Sequence, residues 1–427
     1  MQSSGRLEAA CVGAVTPFCH VAWLRLKSAT LVLIFSSWVL APIYGAMTSK
    51  VFDLAVIGGG VLGLAHAYAA AKAGLRVAVV ERDVRANGAS IRNFGFITVT
   101  GQERGESWQL ACRTRDIWAE VASESGLRIE QRGLYLSARS AEATAVIEAF
   151  LATEMGEGCR FLPPHEFREL TGGWGGSDLK GGLFSPYELR VESRTAIPAL
   201  TAWLRETFGV TFFNETVVFE ATPPRLRTSR GVIEAGATVV CPGDDFVTLY
   251  PDRIAGFSLQ RCRLSMLRVA DPRLRLPGTL MSDLSLVRYR GYAALPEARA
   301  LEARLRVEQP SHFDNGVHLI VAQGADGSLI VGDSHHYGDL PGPFTPAEAE
   351  RDILDEYSRA TGRTVPPVLE RWCGFYAVSS DRTYLVDTPE PDVRLVMVTS
   401  GTGASTGFGI AEKVIADLLG LKTGAVA

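Results

Sequence analysis

The sequence predicts an α/β fold, with a doubly wound parallel sheet built from three separated segments and an α+β domain inserted between them. A strand-turn-helix pattern with buried, β-branched strands opens at residue 51, and related patterns return at residues 210–243 and 395–419. The stretches in between have a different character, with short strands typical of a mixed or antiparallel sheet. This interleaving indicates one domain assembled from three segments and interrupted twice by a second domain.

A β-α-β unit forms the first segment. Residues 51–57 are a short apolar run with β-branched side chains, which predicts a buried parallel strand. Residues 61–73 are rich in Ala and Leu and are followed by Gly74, which predicts a helix and its end. Residues 76–80 predict a second buried strand. The order strand, helix, strand is that of a doubly wound nucleotide-binding unit.

The turn between the first strand and the helix carries the pattern GxGxxG, here Gly58-Gly59-Gly60-Val61-Leu62-Gly63. Gly58 allows the tight turn, Gly60 lets the backbone approach a pyrophosphate, and Gly63 lets the helix pack on the strand. The helix N-terminus then offers free N–H groups to phosphate. Glu81, eighteen residues beyond Gly63, ends the second strand, where a carboxylate accepts hydrogen bonds from ribose hydroxyls and disfavours NADP. These features together predict a dinucleotide site.

Hydrophobic periodicity predicts the remaining elements and the domain boundaries. Helices are expected at residues 108–125, 141–155, 193–208, 345–361 and 404–419, and strands at 134–138, 263–269, 317–323, 328–332 and 395–399, with short strands within 210–241. The predicted nucleotide-binding domain comprises residues 47–110, 190–255 and 380–427, and the predicted substrate-binding domain comprises residues 111–189 and 256–379.

The N-terminal stretch differs from the rest of the chain. Residues 29–46 contain no charge and follow Arg25 and Lys27, as in a signal peptide or a short membrane span. The fold pattern starts directly after Met47, so we expect residues 1–46 to be an extension from an upstream mis-start, with a signal or anchor as the alternative. The expected location is the cytoplasm, with export or membrane contact only if the apolar stretch is retained.

Composition argues against several classes of protein. Hydrophobic residues make up 47% of the 427 residues, enough for large cores, and the net charge of −4 argues against nucleic acid as a partner. The seven cysteines show no CxxC spacing, so neither a zinc site nor a disulfide framework is indicated. We therefore expect these cysteines to be reduced thiols, which favours a reducing compartment.

Two further segments favour FAD over NAD. Residues 238–243 are an apolar strand that ends in glycine, as where glutathione-reductase-type folds close a strand beside FAD. Residues 399–403 precede the C-terminal helix, whose N-terminus can stabilise negative charge at the edge of a reduced flavin. On their own, the glycines within residues 399–403 would indicate only an ordinary β-α turn. Their position after the interleaved domain favours a glutathione-reductase-type Rossmann FAD-binding domain.

Several of these segments resemble one family. Residues 53–63, 81–82, 88–95 and 401–409 resemble the D-amino-acid oxidase/sarcosine oxidase (DAO) family of FAD-dependent oxidoreductases. The sequence of residues 88–95, Gly-Ala-Ser-Ile-Arg-Asn-Phe-Gly, is similar to that of a narrower subfamily associated with aminophosphonate catabolism. The other positions that carry this narrower resemblance are 101–102, 261–264, Met266, Arg268 and 332–335. The resemblance covers residues 51–419.

The resemblance implies roles for individual residues. Residues 88–92 would pass along the pyrophosphate and the flavin, and Val217 would offer backbone groups to adenine. Residues 376–381 are similar to a segment that holds the substrate carboxylate in sarcosine oxidases, which points to Tyr376. No cysteine follows Cys373, so we expect non-covalent FAD. The expected cofactor-binding residues are Gly58, Gly60, Val61, Leu62, Gly63, Glu81, Arg82, Gly88, Ala89, Ser90, Arg92, Asn93, Val217, Cys241, Gly243, Gly401, Thr402, Gly403 and Thr406.

An arginine-rich stretch indicates an anionic substrate. Residues 256–310 hold ten arginines and five acids, a balance of +5, and arginine binds phosphonate and carboxylate through a planar fork of donors. Most of these arginines are still expected to be solvated or in surface ion pairs. The expected catalytic residues are Arg92 and Tyr376, and the expected substrate-binding residues are Arg263, Arg288, Tyr289, His335 and Trp372.

Paired histidines in the second domain suggest a metal site, but their spacing argues against it. His335 and His336 are neighbours on a predicted strand and point to opposite faces, so one ion does not reach both. A strand-end loop with a polar substrate contact fits residues 332–337 better, and His318, in an apolar run, is typical of a core histidine. Trp372 is equally compatible with a pocket wall and with the core. No metal is expected.

The predicted function is oxidation of the C–N bond of a small anionic amine. Hydride would pass from the carbon to flavin N5, with oxygen or another acceptor reoxidising the flavin, and the imine would hydrolyse to an aldehyde and ammonia or methylamine. An aminophosphonate related to 2-aminoethylphosphonate is implied by the resemblance. The alternatives are a D-amino or N-methyl amino acid as substrate, a flavin-binding assembly protein without turnover, and a membrane-anchored dehydrogenase that reduces quinone.

Overall fold

The computed structural model describes residues 51–421 of the chain. The predicted N-terminal extension, with its apolar stretch at 29–46, lies outside these residues. Within 51–421, no helix combines the length and the apolar character that crossing a membrane requires.

Strands and helices alternate along the chain. The strands are β1 (Val51–Ile57), β2 (Val77–Val80), β3 (Phe96–Ile97), β4 (Ile129–Ala138), β5 (Arg160–Leu162), β6 (Gly181–Val191), β7 (Thr211–Phe213), β8 (Val218–Glu220), β9 (Arg225–Thr228), β10 (Gly231–Val240), β11 (Gln260–Val269), β12 (Thr279–Met281), β13 (Ile320–Gln323), β14 (Leu329–Gly338), β15 (Val368–Val378), β16 (Tyr384–Asp387) and β17 (Val393–Val398). The helices are α1 (Val61–Lys72), α2 (Glu106–Ser125), α3 (Ala141–Leu151), α4 (Pro164–Leu170), α5 (Ser193–Phe208), α6 (Pro251–Ala255), α7 (Arg290–Ala293), α8 (Ala298–Glu308), α9 (Pro310–Asp314), α10 (Ala347–Thr361) and α11 (Gly403–Leu418).

A parallel sheet contains strands from three separate parts of the chain, in the order β7-β2-β1-β10-β17. β16 adds an antiparallel edge to β17, and β9 and β8 extend antiparallel from β10. In β2, Val77 and Val79 pack into one apolar cluster, while Ala78 and Val80 pack into another. Because this strand is buried on both faces, its sequence is a continuous apolar run.

Helices cover one face of the parallel sheet. α1 packs against α5 and α11, and α11 also packs against α2. Aromatic side chains fill the contacts: the rings of Tyr68 and Trp203 lie 5.5 Å apart, and those of Trp118 and Phe408 lie 5.1 Å apart. This layer fixes the two helix N-termini, those of α1 and α11, at one edge of the sheet.

The second sheet is mixed, in the order β15-β11-β14-β13-β12-β4-β6-β3, with β5 paired to β6. Its pairs are antiparallel except for β12 with β4. A buried ion group ties its helices to it, since Arg139 donates to both Asp283 and Glu356 at 2.6 Å. The predicted α/β fold with an additional mixed sheet is confirmed, whereas the predicted domain boundaries stay a prediction.

A β-bulge lies where β11 meets β14. Ser265 pairs with Ser334 and Met266 pairs with Gly332, so Asp333 is an extra residue on β14. Bulges of this kind re-aim side chains and are common next to active sites. The predicted strand at 328–332 therefore ended too early, because β14 continues through the bulge to Gly338. The prediction of a strand-end loop for residues 332–337 was wrong for the same reason.

Candidate active site

A cavity of about 1090 Å³ lies at the carboxyl ends of the parallel strands and extends to the mixed sheet. Its lining includes Ile57, Val80, Val240 and Val398, which are the last residues of β1, β2, β10 and β17. The carboxyl edge of such a sheet is where nucleotides bind in doubly wound folds. The volume is slightly above the ~300–1,000 Å³ range of small-molecule pockets, which suits a dinucleotide together with a substrate.

The glycines of the GxGxxG turn are required by close packing. A Cβ on Gly58, which has φ of 105°, would lie 2.4 Å from the carbonyl oxygen of Cys241. A Cβ on Gly63 would lie 1.9 Å from the carbonyl oxygen of Gly58, and one on Gly60 would lie 2.8 Å from Ser90 Oγ. These contacts leave the backbone of the turn open toward the cavity, as phosphate binding requires.

The N-terminus of α1 is suited to an anion. No side chain caps this helix, although the amide of Val61 donates to Ser90 Oγ at 2.9 Å. Uncapped amides and the positive end of the helix dipole together attract phosphate. Glu81 Oε2 accepts from the amide of Gly59 at 2.7 Å, which holds the carboxylate beside the turn. The residues therefore fit the pyrophosphate and ribose of a dinucleotide.

The N-terminus of α11 faces the same cavity. Gly401, with φ of 73°, packs so closely on Tyr376 that a Cβ there would lie 2.9 Å from the ring. Thr402 is the N-cap residue of α11, but its side chain does not cap the helix, and its Oγ1 lies 2.7 Å from Ser400 Oγ. Backbone dipoles at this end favour negative charge on a group bound between α11 and the mixed sheet.

The loop 88–95 is braced from within. Asn93 Nδ2 donates to the carbonyl of Ala89 at 2.6 Å, and Asn93 Oδ1 accepts from the amide of Gly95 at 2.6 Å. The carbonyl of Arg92 accepts from Trp372 Nε1 at 3.2 Å, which joins the loop to β15. The side chain of Arg92 lies at the cavity, and no acid of the described chain is within ion-pair distance of it.

The structure brings nearly all predicted cofactor residues to this cavity. Those that line it are Gly58, Gly60, Val61, Leu62, Gly63, Glu81, Arg82, Gly88, Ala89, Ser90, Arg92, Asn93, Val217, Cys241, Gly243, Gly401, Thr402 and Gly403. Thr406 is outside the lining, and its hydroxyl donates back to the carbonyl of Thr402 at 3.1 Å. Both backbone groups of Val217 already bond to Ser229, the amide at 3.0 Å and the carbonyl at 2.8 Å.

Arg288 lies at the cavity beside three tyrosines. Its Nη2 donates to the hydroxyl of Tyr337 at 2.6 Å, and Tyr289 and Tyr376 line the same region. Within residues 51–421, no carboxylate lies within 4.0 Å of its guanidinium, so several donors remain free. Burial raises the pKa of Tyr376 well above its usual value, which keeps its hydroxyl protonated and able to donate.

Two predicted substrate residues lie outside the cavity lining. Arg263 points away from it, because Leu264 faces the cavity and neighbouring residues of a strand alternate. The Arg263 guanidinium instead donates to the carbonyls of Gly342, at 2.6 Å, and Phe344. Trp372 packs beneath the guanidinium of Arg194, 4.7 Å from the ring centre.

Three buried side chains form a cluster beside Arg288, and of these only His335 was predicted from the sequence as a substrate-binding residue. His318, Asp333 and His335 each place a potential ligand atom within 4.8 Å of the others, and all three line the cavity. His336 is not part of this cluster, which agrees with the prediction that its side chain points to the strand face opposite that of His335. His318 was predicted to be a core histidine, yet its Nδ1 is buried and has no hydrogen-bond partner among the described residues. The signal that pointed here was the polar run at residues 332–337.

Comparison with known proteins identifies the class. A family model described as "DAO: FAD dependent oxidoreductase" matches residues 53–418. The chain therefore belongs to this family of FAD-dependent oxidoreductases, and the predicted FAD is confirmed as its cofactor. A comparison with curated proteins found no match.

Solved structures agree with this fold. Glycine oxidase from Geobacillus kaustophilus is 19% identical, with a TM-score of 0.70 over 88% of this chain and 96% of that chain. L-proline dehydrogenase from P. horikoshii is 18% identical, with a TM-score of 0.71 over 88% and 96%. L-α-glycerophosphate oxidase from Mycoplasma pneumoniae, solved with FAD bound, is 16% identical, with a TM-score of 0.65 over 87% and 95%.

Proposed function

We propose that the protein oxidises the C–N bond of a small amine that carries an anionic group. The supporting observation is Arg288, whose guanidinium lies at the cavity without a carboxylate partner among residues 51–421. A free arginine fork beside tyrosine hydroxyls is suited to phosphonate or carboxylate. The proposed substrate is an aminophosphonate related to 2-aminoethylphosphonate, because residues 88–95 and 332–335 resemble the subfamily associated with aminophosphonate catabolism.

The side chains of the cavity would hold the substrate and leave its reacting carbon exposed. Arg288 and Tyr337 bind the anionic group, and Tyr376 donates a further hydrogen bond from the side of α11. Arg92 also lines the cavity. Bound FAD supplies the acceptor for the hydride that leaves the carbon next to nitrogen, so no side chain has to remove a proton from carbon.

Non-covalent attachment of FAD is also part of the proposal. Cys241 is the cysteine that lines the cavity, and burial raises the pKa of its thiol well above the usual value, which keeps it unreactive. Cys373, the last cysteine in the sequence, lies outside the lining. Acid precipitation of the protein should leave all the flavin in the supernatant. Flavin retained in the pellet would contradict this.

A substrate panel tests the reaction. The protein with its FAD is mixed anaerobically with 2-aminoethylphosphonate, its N-methyl and 1-hydroxy derivatives, β-alanine, sarcosine and D-alanine, and the flavin absorbance is followed. We expect bleaching by at least one aminophosphonate. Bleaching by amino acids alone would favour an amino-acid substrate, a rival that the fold shared with glycine oxidase also supports. No bleaching by any amine would favour the flavin-binding assembly protein.

Arg288→Ala tests the anion site. Loss of a charged hydrogen-bond partner typically costs about 2–5 kcal/mol, so KM for the aminophosphonate should rise roughly 30-fold or more with less effect on kcat. Arg299→Ala is the matched control, because Arg299 is exposed on α8 in the same arginine-rich stretch. Equal KM values in the wild type and Arg288→Ala would exclude Arg288 from the anion site.

The cytoplasmic location belongs to the same proposal. It follows from the expectation that residues 1–46 are absent from the native protein. The N-terminal mass of the protein purified from its native source tests this, with a start at Met47 as the expected result. A native chain that retains residues 29–46 would favour the anchored dehydrogenase.

A further inference from the structure

When Asp333 is ionised, its carboxylate and the His335 ring face each other as two hydrogen-bond acceptors. His335 Nδ1 lies 2.9 Å from the carbonyl oxygen of Gly316, and because a carbonyl only accepts, Nδ1 carries the hydrogen. Burial holds the pKa of His335 well below its usual value, so the ring is neutral and its Nε2 bears a lone pair. That Nε2 lies 3.7 Å from Asp333 Oδ2, and no donor of the described residues lies between them.

The other carboxylate oxygen is also poorly satisfied. Asp333 Oδ1 is 3.3 Å from His318 Nε2, but the two are not aligned for a hydrogen bond, and Oδ1 has no partner among residues 51–421. The backbones of His318 and Asp333 hold the group in place, since each amide donates to the carbonyl of the other at 3.3 and 3.0 Å. A buried acceptor without a donor is costly, which indicates that a cation or a donor binds here.

We infer that Asp333 and His335 form the subsite for the substrate's amino group, with Asp333 as the residue that accepts its proton. This inference rests on the proposed function. The substrate ammonium donates one hydrogen to His335 Nε2 and one to Asp333 Oδ2. The N–H bond toward Asp333 then breaks and an O–H bond forms on Oδ2, which leaves a neutral amine and a neutral carboxyl group. Arg288 and Tyr337 hold the anionic group of the same molecule beside this subsite.

The electrostatic surroundings suit this transfer. Burial raises the pKa of Asp333 to about 7, with Arg288 opposing the rise, so the carboxylate is a far better proton acceptor than an exposed aspartate. The groups that face it are Arg288, His318, His335, Tyr289, Tyr337 and Cys262. The tyrosines and Cys262 stay protonated, because burial raises their pKa values, and the two histidines stay neutral.

An ammonium group fits the cluster better than a metal ion. The His318 and His335 rings are stacked, 4.8 Å apart and inclined by 24°, so their nitrogen lone pairs run side by side and do not converge. The nearby positive charge of Arg288 repels a divalent cation about twice as strongly as a singly charged ammonium. An ammonium instead offers separate N–H donors, which reach separate acceptors.

The test is the pH dependence of flavin reduction in Asp333→Asn, with Asp314→Asn as control. Asp314 is an exposed carboxylate at the end of α9, so its variant loses the same charge outside the cavity. The substrate is an aminophosphonate that bleaches the wild type. Such an amine, with a pKa near ~10.4, is neutral in roughly one molecule in a few thousand at pH 7. We expect reduction in Asp333→Asn to be about 100-fold slower at pH 7 and to rise nearly tenfold per pH unit up to pH 9.

Two further measurements separate this role from a structural one. The FAD content of Asp333→Asn and its inhibition constant for ethylphosphonate, which lacks the amine, should stay within about threefold of the wild type. A wild-type pH profile in Asp333→Asn, or equal weakening of ethylphosphonate binding, would overturn the inference and leave the proposed function intact. A stoichiometric metal ion in the purified protein that Asp333→Asn lacks would also overturn it. If no amine bleaches the flavin of the wild-type protein, the proposed function itself is contradicted, which is a different outcome from those above.

Discussion

The Asp333 carboxyl group has an electrostatic cost that depends on pH. Its pKa is about 7 in the folded protein, whereas an unfolded aspartate titrates near ~3.9. Between these values the folded state keeps a proton that the unfolded state has released, so the free energy of unfolding falls as pH rises. Arg288 stays charged across this range, and the neighbouring histidines stay neutral because their pKa values lie well below the usual one.

Asp333→Asn should therefore stabilise the protein more at high pH than at low pH. The amide does not ionise, so the difference in Tm between variant and wild type should shift by a few degrees in favour of the variant from pH 5 to pH 8. Thermal unfolding of both proteins across that range measures it. A difference that stays constant with pH would mean that the folded-state pKa of Asp333 is not raised.

At the scale of single residues, the sequence predicted the glycines of the turn but not the role of Asp333 at the β-bulge. Gly58, Gly60 and Gly63 are recognisable because their spacing follows local backbone geometry. Asp333 and His318 come together only because a register shift between β11 and β14 brings one extra residue to the cavity. Arg263 was predicted to bind substrate but lies outside the cavity lining, since alternation on a strand does not say which face meets the cavity.

The junction of β1 and α1 is the element most sensitive to a single methyl group. Gly63→Ala would place a Cβ 1.9 Å from the carbonyl oxygen of Gly58, so the helix or the turn must move. We expect a loss of about 1–3 kcal/mol in stability and FAD that is removed by gel filtration. Gly338→Ala is the control, because the structure has open space there and no positive φ. FAD retained equally in both variants would contradict the role of close packing at this turn.

Elements with uniform local patterns were predicted well, and those that depend on long-range pairing were not. α5 was predicted with its observed bounds, and β1 likewise. β6 and β15 were not predicted at all. β6 contains Pro186, which argues against a strand. β15 has adjacent charges at Glu370 and Arg371 and a glycine at 374, so its sequence shows no strand alternation, and its pairing with β11 makes it a strand.

At the scale of the whole molecule, FAD should stabilise both sheets together. The cavity is lined by strands of the parallel sheet and by residues of β14 and β15, so a cofactor that fills it would contact both sheets. Because only the folded state binds it, an excess of about 100 Kd adds about 2.7 kcal/mol to stability. The Tm of the protein without FAD should therefore rise steadily with added FAD, in one transition. A Tm that does not respond to FAD would contradict non-covalent binding.

The three-segment construction of the parallel sheet also has a consequence during translation. β1 lies at the centre of this sheet, yet its partner β10 begins at Gly231, more than 170 residues after β1 ends. At the usual rates of synthesis this interval lasts roughly 10–40 s, during which an apolar strand edge is unpaired. The last part of the cofactor site, at residues 401–403, follows later still. The nascent chain therefore exposes an aggregation-prone strand edge during this interval, which chaperones would have to shield, and it can bind FAD fully only after residues 401–403 have been made.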